Sequence, residues 1–283
     1  MSHGEVRVYT PARPLRRPLD LLREMLKDVA ASRELAWRLA VRDVSAQYRQ
    51  AALGFLWVFL LPVANTVIWT FLRRTGVVAM EGTAMPYVAF VFSGTVLWAV
   101  FSDAVNAPLQ QATAARAMLV KINFPREALI LSGILQVLFN GTVRVAVLLA
   151  ALLLLGIVPG WTLVLFPAAF LSLVLIGTTV GLFLAPVGML YTDVARALPL
   201  ALQFLMYLAP VVFPAPAGGL AGTVFRWNPL TPVIEAGRGW LAGMPADLLM
   251  PLLVVDGIFV LLLAAMAVAY RLSMPILIER LGS

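Results

Sequence analysis

The side chains that do most covalent chemistry in proteins are scarce in this chain. It has no cysteine and a single histidine, His3, near the N-terminus. Disulfides and thiolate metal sites are therefore excluded, and a histidine-based metal site or proton relay is not supported. The only lysines are Lys27 and Lys121, and neither follows a Gly-rich loop able to cradle phosphate. The fourteen carboxylates are scattered, with no DxD pair and no Ser/His/Asp set. A catalytic centre is not expected, nor a metal or cofactor bound by the chain itself. The residues that stand out are charges in apolar surroundings: Asp103, Arg144 with Asn140 one turn before it, and Asp256. An isolated charge at mid-bilayer costs about 2.5–3.5 kcal/mol on insertion scales, so a partner is expected. Similar depth pairs Arg144 with Asp256, either as a structural clamp or as a site facing a transported molecule.

Those residues need elements to hold them, and composition says what kind. Of 283 residues, 61% are hydrophobic and only 12% charged, with mean hydropathy +0.93; a soluble domain carries about a quarter charged residues. Several apolar runs reach the roughly 20 residues that cross a ~30 Å hydrocarbon core. The expected fold is an all-α polytopic membrane protein with six transmembrane helices, over about 51–72, 87–107, 128–155, 162–190, 198–213 and 249–270. An arm, 1–50, precedes this transmembrane domain (51–272), and a tail, 273–283, follows it. In the arm, Leu19, Leu22, Met25, Leu26 and Val29 recur at helical spacing, which predicts an amphipathic interfacial helix. A second helical pattern follows Ser32, with Trp37, Ala40, Val41 and Val44 on one side.

The stretch from Val211 to Pro251 is too apolar for a plain connector and too interrupted by Pro, Gly, Arg and Glu to span. It predicts a re-entrant helical hairpin over 214–249. Thr231 suits an N-cap, Pro232 the first helical position, and Gly243 the stop. Glu235 and Arg238, three apart, share a face, where they pair or touch solvent. Lysine and arginine placement orients the whole. With both termini cytoplasmic, sixteen of the 21 basic residues lie inside, four outside (Arg73, Arg74, Arg226, Arg238), and Arg144 within the membrane. The net charge of +7 thus fits membrane topology, and no nucleic-acid partner is expected.

Five collinear segments carry a family likeness: VRDVSAQYRQAALGFLWVFLLP, MLVKINFPRE, LYTDVARALP, LAPVVFP and WNPLTPVIEAGRGWL. In that order, with six spans, over about Glu34 to Leu272, the chain resembles the membrane subunit of ABC-2-type polysaccharide exporters, the permeases of O-antigen, capsule and teichoic acid. The resemblance implies a half-transporter in the bacterial inner membrane. Two copies pair around a conduit, and each docks a separate cytoplasmic P-loop ATPase that holds ATP and Mg. A lipid-linked glycan is taken from the inner leaflet and pushed outward. It further implies that loop two, 108–127, carries a coupling helix against the ATPase, with Arg116, Met118, Lys121 and Asn123, and that Tyr191, Asp193 and Arg196 make a second contact.

The remaining candidates follow from spacing considered beside that likeness. Trp57, Leu61, Asn65 and Trp69 recur every fourth residue on the first span, and Phe90, Gly94, Trp98 and Phe101 form a second stripe. With Tyr207, these aromatics offer a conduit lining on which sugar C–H faces could slide. For Trp57 and Trp69, an interfacial aromatic belt in contact with lipid is the competing reading. In the hairpin, Trp227, Glu235, Arg238, Trp240 and Leu241 are candidates for an outer gate, against the reading of a passive cap. The Arg144–Asp256 pair, if it faces the conduit, would meet glycan or pyrophosphate. Rival functions are an ABC-2 exporter of lipid or drug, a membrane-embedded glycosyltransferase, and a secondary transporter.

Overall fold

The structure is a computed structural model that describes residues 18–49, 57–77, 83, 85–116, 118, 125–216 and 218–282. Nine α-helices carry the described chain. They are α1 (Pro18–Arg49), α2 (Trp57–Arg74), α3 (Tyr87–Ala114), α4 (Arg126–Leu154) and α5 (Phe166–Leu190), the last preceded by a 3-10 turn, Trp161–Leu165. Then come α6 (Thr192–Leu205) with a 3-10 turn Met206–Leu208, α7 (Gly219–Trp227), α8 (Leu230–Leu241) and α9 (Leu249–Gly282). Among the described residues, four helical stretches are long and apolar enough to cross a membrane: Tyr87–Ala114, Arg126–Leu154, Trp161–Leu190 and Leu249–Leu277.

Helix α3 is the hub, with α2, α4, α5 and α8 packed around it. It is apolar on nearly every side, and Val91, Val96, Leu97, Val100, Ala104 and Val105 are fully buried. The seam with α5 is built from small residues. A methyl added at Gly177 would sit 2.5 Å from the Ala104 Cβ, and one at Gly181 2.5 Å from the Val105 carbonyl oxygen. Gly177-x-x-x-Gly181 thus lets two backbones approach as closely as membrane helices can. Gly188 meets Leu109 further along the same direction, so α3 and α5 run parallel. Helix α9 packs on α5 from outside and leaves Leu253, Val254, Ile258 and Leu261 exposed, an apolar face suited to lipid.

Several elements depart from the sequence expectation. Loop two begins later than predicted, because α3 continues through Pro108 to Ala114. Pro108 forfeits one helical hydrogen bond but is buried against the bare Gly181 backbone. The fifth expected span is not one helix. α6 covers 14 residues, about 21 Å of rise, and gives way to the 3-10 turn and an irregular strip of turns and bends. The tail is no separate segment, since α9 runs on past Pro275. The two helical patterns of the arm are one 32-residue helix, α1, lying along α4. Its packed side is Ser32, Ala36, Leu39 and Ala40, while Trp37 and Val41 are exposed. The four-residue spacing of Trp37 and Val41 marks a stripe on α1, and the neighbouring stripe is the one that packs.

The stretch expected to form the hairpin holds two short helices, α7 and α8. α8 ends as predicted: Gly243 has φ of 74°, and the Met244 N–H reaches back to the Gly239 carbonyl at 2.9 Å. Its start differs. The helix opens at Leu230, whose N–H donates to Asn228 Oδ1 at 2.9 Å, so Asn228 does the capping. Thr231, the expected cap, is buried with its hydroxyl unpartnered.

Candidate functional site

Around Arg238 the chain satisfies an irregular backbone inside an apolar bundle. After Leu208 the helix stops, and irregular backbone at membrane depth is tolerated only when protein groups satisfy it. The carbonyls here are taken up in turn. Asn228 Nδ2 donates to the Leu208 oxygen at 2.8 Å, and the Val211 N–H to that of Ala209 at 2.7 Å. Arg238 Nη2 donates to the oxygens of Pro210, at 2.6 Å, and Val211, at 3.0 Å. The Tyr87 hydroxyl donates to that of Val212 at 2.9 Å. Arg238 Nε also reaches Ser93 Oγ at 3.3 Å, and its guanidinium lies 3.6 Å over the Phe90 ring. Gly94 makes room for all this: a side chain there would run into the Val211 carbonyl and the Arg238 guanidinium.

Arg238 therefore does not pair with Glu235 or face solvent; it is 5% exposed. Burial pushes its guanidinium down to about 9, with Glu235 acting in the opposite sense, so it remains a cation at neutral pH. Burial likewise raises the half-buried Glu235 carboxyl, and Arg238 counters that rise. Trp240 and Leu241 are wholly buried, whereas Trp227 is 82% exposed. Helix α8 thus sits between α3 and α5 as part of the core, and α7 carries Trp227 at the surface.

The intramembrane charges pair otherwise than depth suggested. Arg144 Nη1 forms its ion pair with Asp103 Oδ2, one helix away on α3. Asp256 accepts a hydrogen bond from Ser172 Oγ at 2.8 Å instead. The physical reason is adjacency: α4 packs on α3, and α9 on α5. Beside the Arg144–Asp103 pair lies a polar cluster that the sequence reading did not assemble. Asp43 on α1 receives Gln111 of α3 at 3.3 Å and Gln136 of α4 at 3.0 Å. The Tyr48 hydroxyl donates to Asn140 Oδ1 at 2.6 Å. A usable signal was present, since Gln136, Asn140 and Arg144 follow at four-residue steps along an otherwise apolar helix.

The expected aromatic lining divides. Phe90, Trp98 and Phe101 are all under 8% exposed; Trp98 packs on Phe101 with ring centroids 5.1 Å apart. They belong to the core of this chain. Trp69 and Tyr207 pack against each other at 5.9 Å on the α2–α6 side, both partly exposed, as is Asn65. The side chain of Trp57 lies outside the described residues. Of the coupling residues, Arg116 is exposed and Met118 partly buried, while Lys121 and Asn123 lie outside the described residues. Tyr191, Asp193 and Arg196 are exposed. Because α3 and α5 are parallel, Arg116 and the Tyr191–Arg196 patch emerge at the same end of the bundle. At that end Arg271 of α9 pairs with Asp28 of α1 at 2.8 Å and with Glu127 of α4 at 3.3 Å.

Known proteins are similar to this chain over 60–70% of its length. An O-antigen export system permease protein RfbA from Myxococcus xanthus is 26% identical over 190 residues, 67% of this chain and 72% of that protein. The chain is a relative of polysaccharide-export permeases. A protein of the same name from Klebsiella pneumoniae is 22% identical over 70% of this chain and 76% of its own length. The capsule polysaccharide export inner-membrane protein CtrC of Neisseria meningitidis is 24% identical over 60% of this chain and 62% of its own. No family model matches the chain. The likeness to ABC-2-type polysaccharide exporters carried by the five sequence segments thus agrees with what its relatives are.

Proposed function

We propose that this chain is the permease subunit of an ABC transporter that moves a lipid-linked polysaccharide, of the O-antigen or capsule kind, out across the bacterial inner membrane. The observation that carries the reading is the match, at 26% identity over 190 residues, to an O-antigen export permease, in a chain whose long apolar helices pack around one hub. Six spans are reached if α2, ending in Arg73 and Arg74, and α6 with the irregular strip after it each complete a crossing. Both termini then lie in the cytoplasm, and α7–α8 form a re-entrant hairpin on the outer side. The chain hydrolyses nothing itself; a separate ATPase holding ATP and Mg supplies the energy. It docks at the end where Arg116 and the patch Tyr191, Asp193 and Arg196 emerge, and Lys121 and Asn123, which follow Arg116 in sequence, join that contact.

Two copies enclose the passage. The α2–α6 side supports this, for it exposes Leu61, Val67, Phe71 and Phe204 around the Trp69–Tyr207 contact and Asn65. The hairpin, held by Arg238, closes that passage at rest and opens as polymer passes. The test is copurification of the chain with the ATPase encoded beside it, followed by ATPase assays in nanodiscs with lipid-linked glycans. A stable complex whose ATPase rises with such a glycan is expected. Copurification with no ATPase, or stimulation by drugs or simple lipids alone, would overturn the reading.

A further inference from the structure

The polar cluster between α1, α3 and α4 surrounds a cavity of about 290 Å³, at the lower end of the roughly 300–1,000 Å³ of small-molecule sites. Carboxamides dominate its wall: Gln47, Gln110, Gln111, Gln136 and Asn140. The Arg144–Asp103 ion pair forms part of the rest. Such groups are costly at membrane depth and tend to mark a pathway for a polar molecule. Arg144 stands ten residues from the end of α4 at Leu154, about 15 Å by helical rise, which places it near the middle of a bilayer. Gln110 and Gln47 are exposed and mark the mouth.

The chemistry of the wall selects a ligand class. The Arg144 cation is already matched by Asp103. Asp43, which takes Gln111 and Gln136, is itself matched by the exposed Arg42, whose Nη2 lies 2.7 Å from its Oδ1. Among the described residues of this cluster each cation thus has its carboxylate, and a phosphate meets none that is unneutralised. Each carboxamide instead offers both donors and an acceptor, and a carboxylate–guanidinium pair extends that alternation. This suits vicinal hydroxyls, which also donate and accept. The volume admits one sugar ring and not a chain. We propose that this cavity binds a single neutral sugar unit of the lipid-linked glycan on its way into the passage. This rests on the exporter reading above.

The absence of cysteine permits a direct test in the full chain with its ATPase, in nanodiscs. A single cysteine replaces Gln110 at the mouth, and another, in a separate variant, replaces the exposed Asp247, between α8 and α9, as a control. The rate of modification by a charged methanethiosulfonate reagent is followed with polyprenyl pyrophosphates bearing one glucose, galactose or N-acetylglucosamine, and with the bare polyprenyl pyrophosphate. The sugar-bearing probes should slow modification at 110 several-fold and leave 247 unchanged, while the bare pyrophosphate should slow neither. Adding Asn140→Ala or the surface change Gln47→Ala should weaken that protection about five- to tenfold, the loss of one or two hydrogen bonds. Equal protection by the bare pyrophosphate would make this an anion site and overturn the proposal, as would no protection by any sugar. ATPase stimulation in the same nanodiscs keeps the two readings apart: stimulation without protection overturns the cavity alone.

Discussion

At the scale of single residues, two cations decide most of what is testable. Arg238 is the donor for two carbonyls of the irregular strip, and its plane lies on Phe90. Lysine preserves the charge but has neither the fork nor the flat face. Arg238→Lys should therefore cost about 1–3 kcal/mol, because at least one buried acceptor is left unpaired. The cost is measured as a lower unfolding midpoint in detergent, and an unchanged midpoint would remove Arg238 from its role. Trp240, by contrast, is fully buried with its indole N–H unpartnered, so Trp240→Phe should lose packing and no hydrogen bond. Arg144 and Asp103 form the second test. Removing one charge strands the other, and Asp103→Leu should cost about 2–3 kcal/mol. That is below the ~3–5 of a fully buried pair because a third of the Asp103 side chain is exposed. The double change Arg144→Leu with Asp103→Leu should be better tolerated than either alone. Asp256→Asn, which keeps an acceptor for Ser172 Oγ, should be nearly silent. If Asp256→Asn proved the more damaging change, the pairing would be wrong.

At the scale of elements, stability depends on the α3–α5 seam more than on any polar contact. Water supplies little drive between helices in lipid, so close backbone approach has to do the work. Gly181→Leu would force a side chain against the Val105 carbonyl and Pro108. Overpacking of this kind costs about 1–3 kcal/mol, and here the obstacle is backbone that cannot step aside. Folded protein on size exclusion should fall sharply for Gly181→Leu, whereas Gly257→Leu on α9, where a side chain meets open space, should behave as wild type. The seam also shows what was legible in advance. Apolar run length located the long helices, and the Pro/Gly-broken stretch with Gly243 located the short helices and the end of α8. What periodicity could not supply was which helix lies beside which. Depth alone could not rank Asp103 above Asp256 for Arg144. The stripe Phe90, Trp98 and Phe101 reads equally as conduit or core on a helix that is apolar all round. That 198–213 is not one helix has a related reason: hydropathy reports that the stretch is apolar and is blind to backbone that leaves the helix once side chains take over its hydrogen bonds.

At the scale of the whole molecule, the two ends of the bundle are built differently, and this asymmetry fits a machine driven from one side. One end is closed by α8, sealed between α3 and α5, and by turns that touch where a methyl on Gly160 would lie 3.1 Å from the Gly243 Cα. The other end is charged. There Arg271 ties α1, α4 and α9 together, while Arg116, Tyr191, Asp193 and Arg196 stand exposed at the ends of α3 and α5 and the start of α6. If the ATPase docks there as proposed, a push delivered at that end would travel along α3 and α5, which the glycine seam holds close, and would reach the Arg238 node because Phe90, Ser93 and Gly94 belong to the same α3. Rigid-body transmission of this kind requires the docking face and not the bundle's own stability. Arg116→Glu together with Arg196→Glu changes only exposed side chains, so the unfolding midpoint should hold within experimental error. Binding of the ATPase and glycan export should both fall. A double variant that exports normally would place the docking face elsewhere. One that lost its fold would mean these arginines serve the bundle and not its partner.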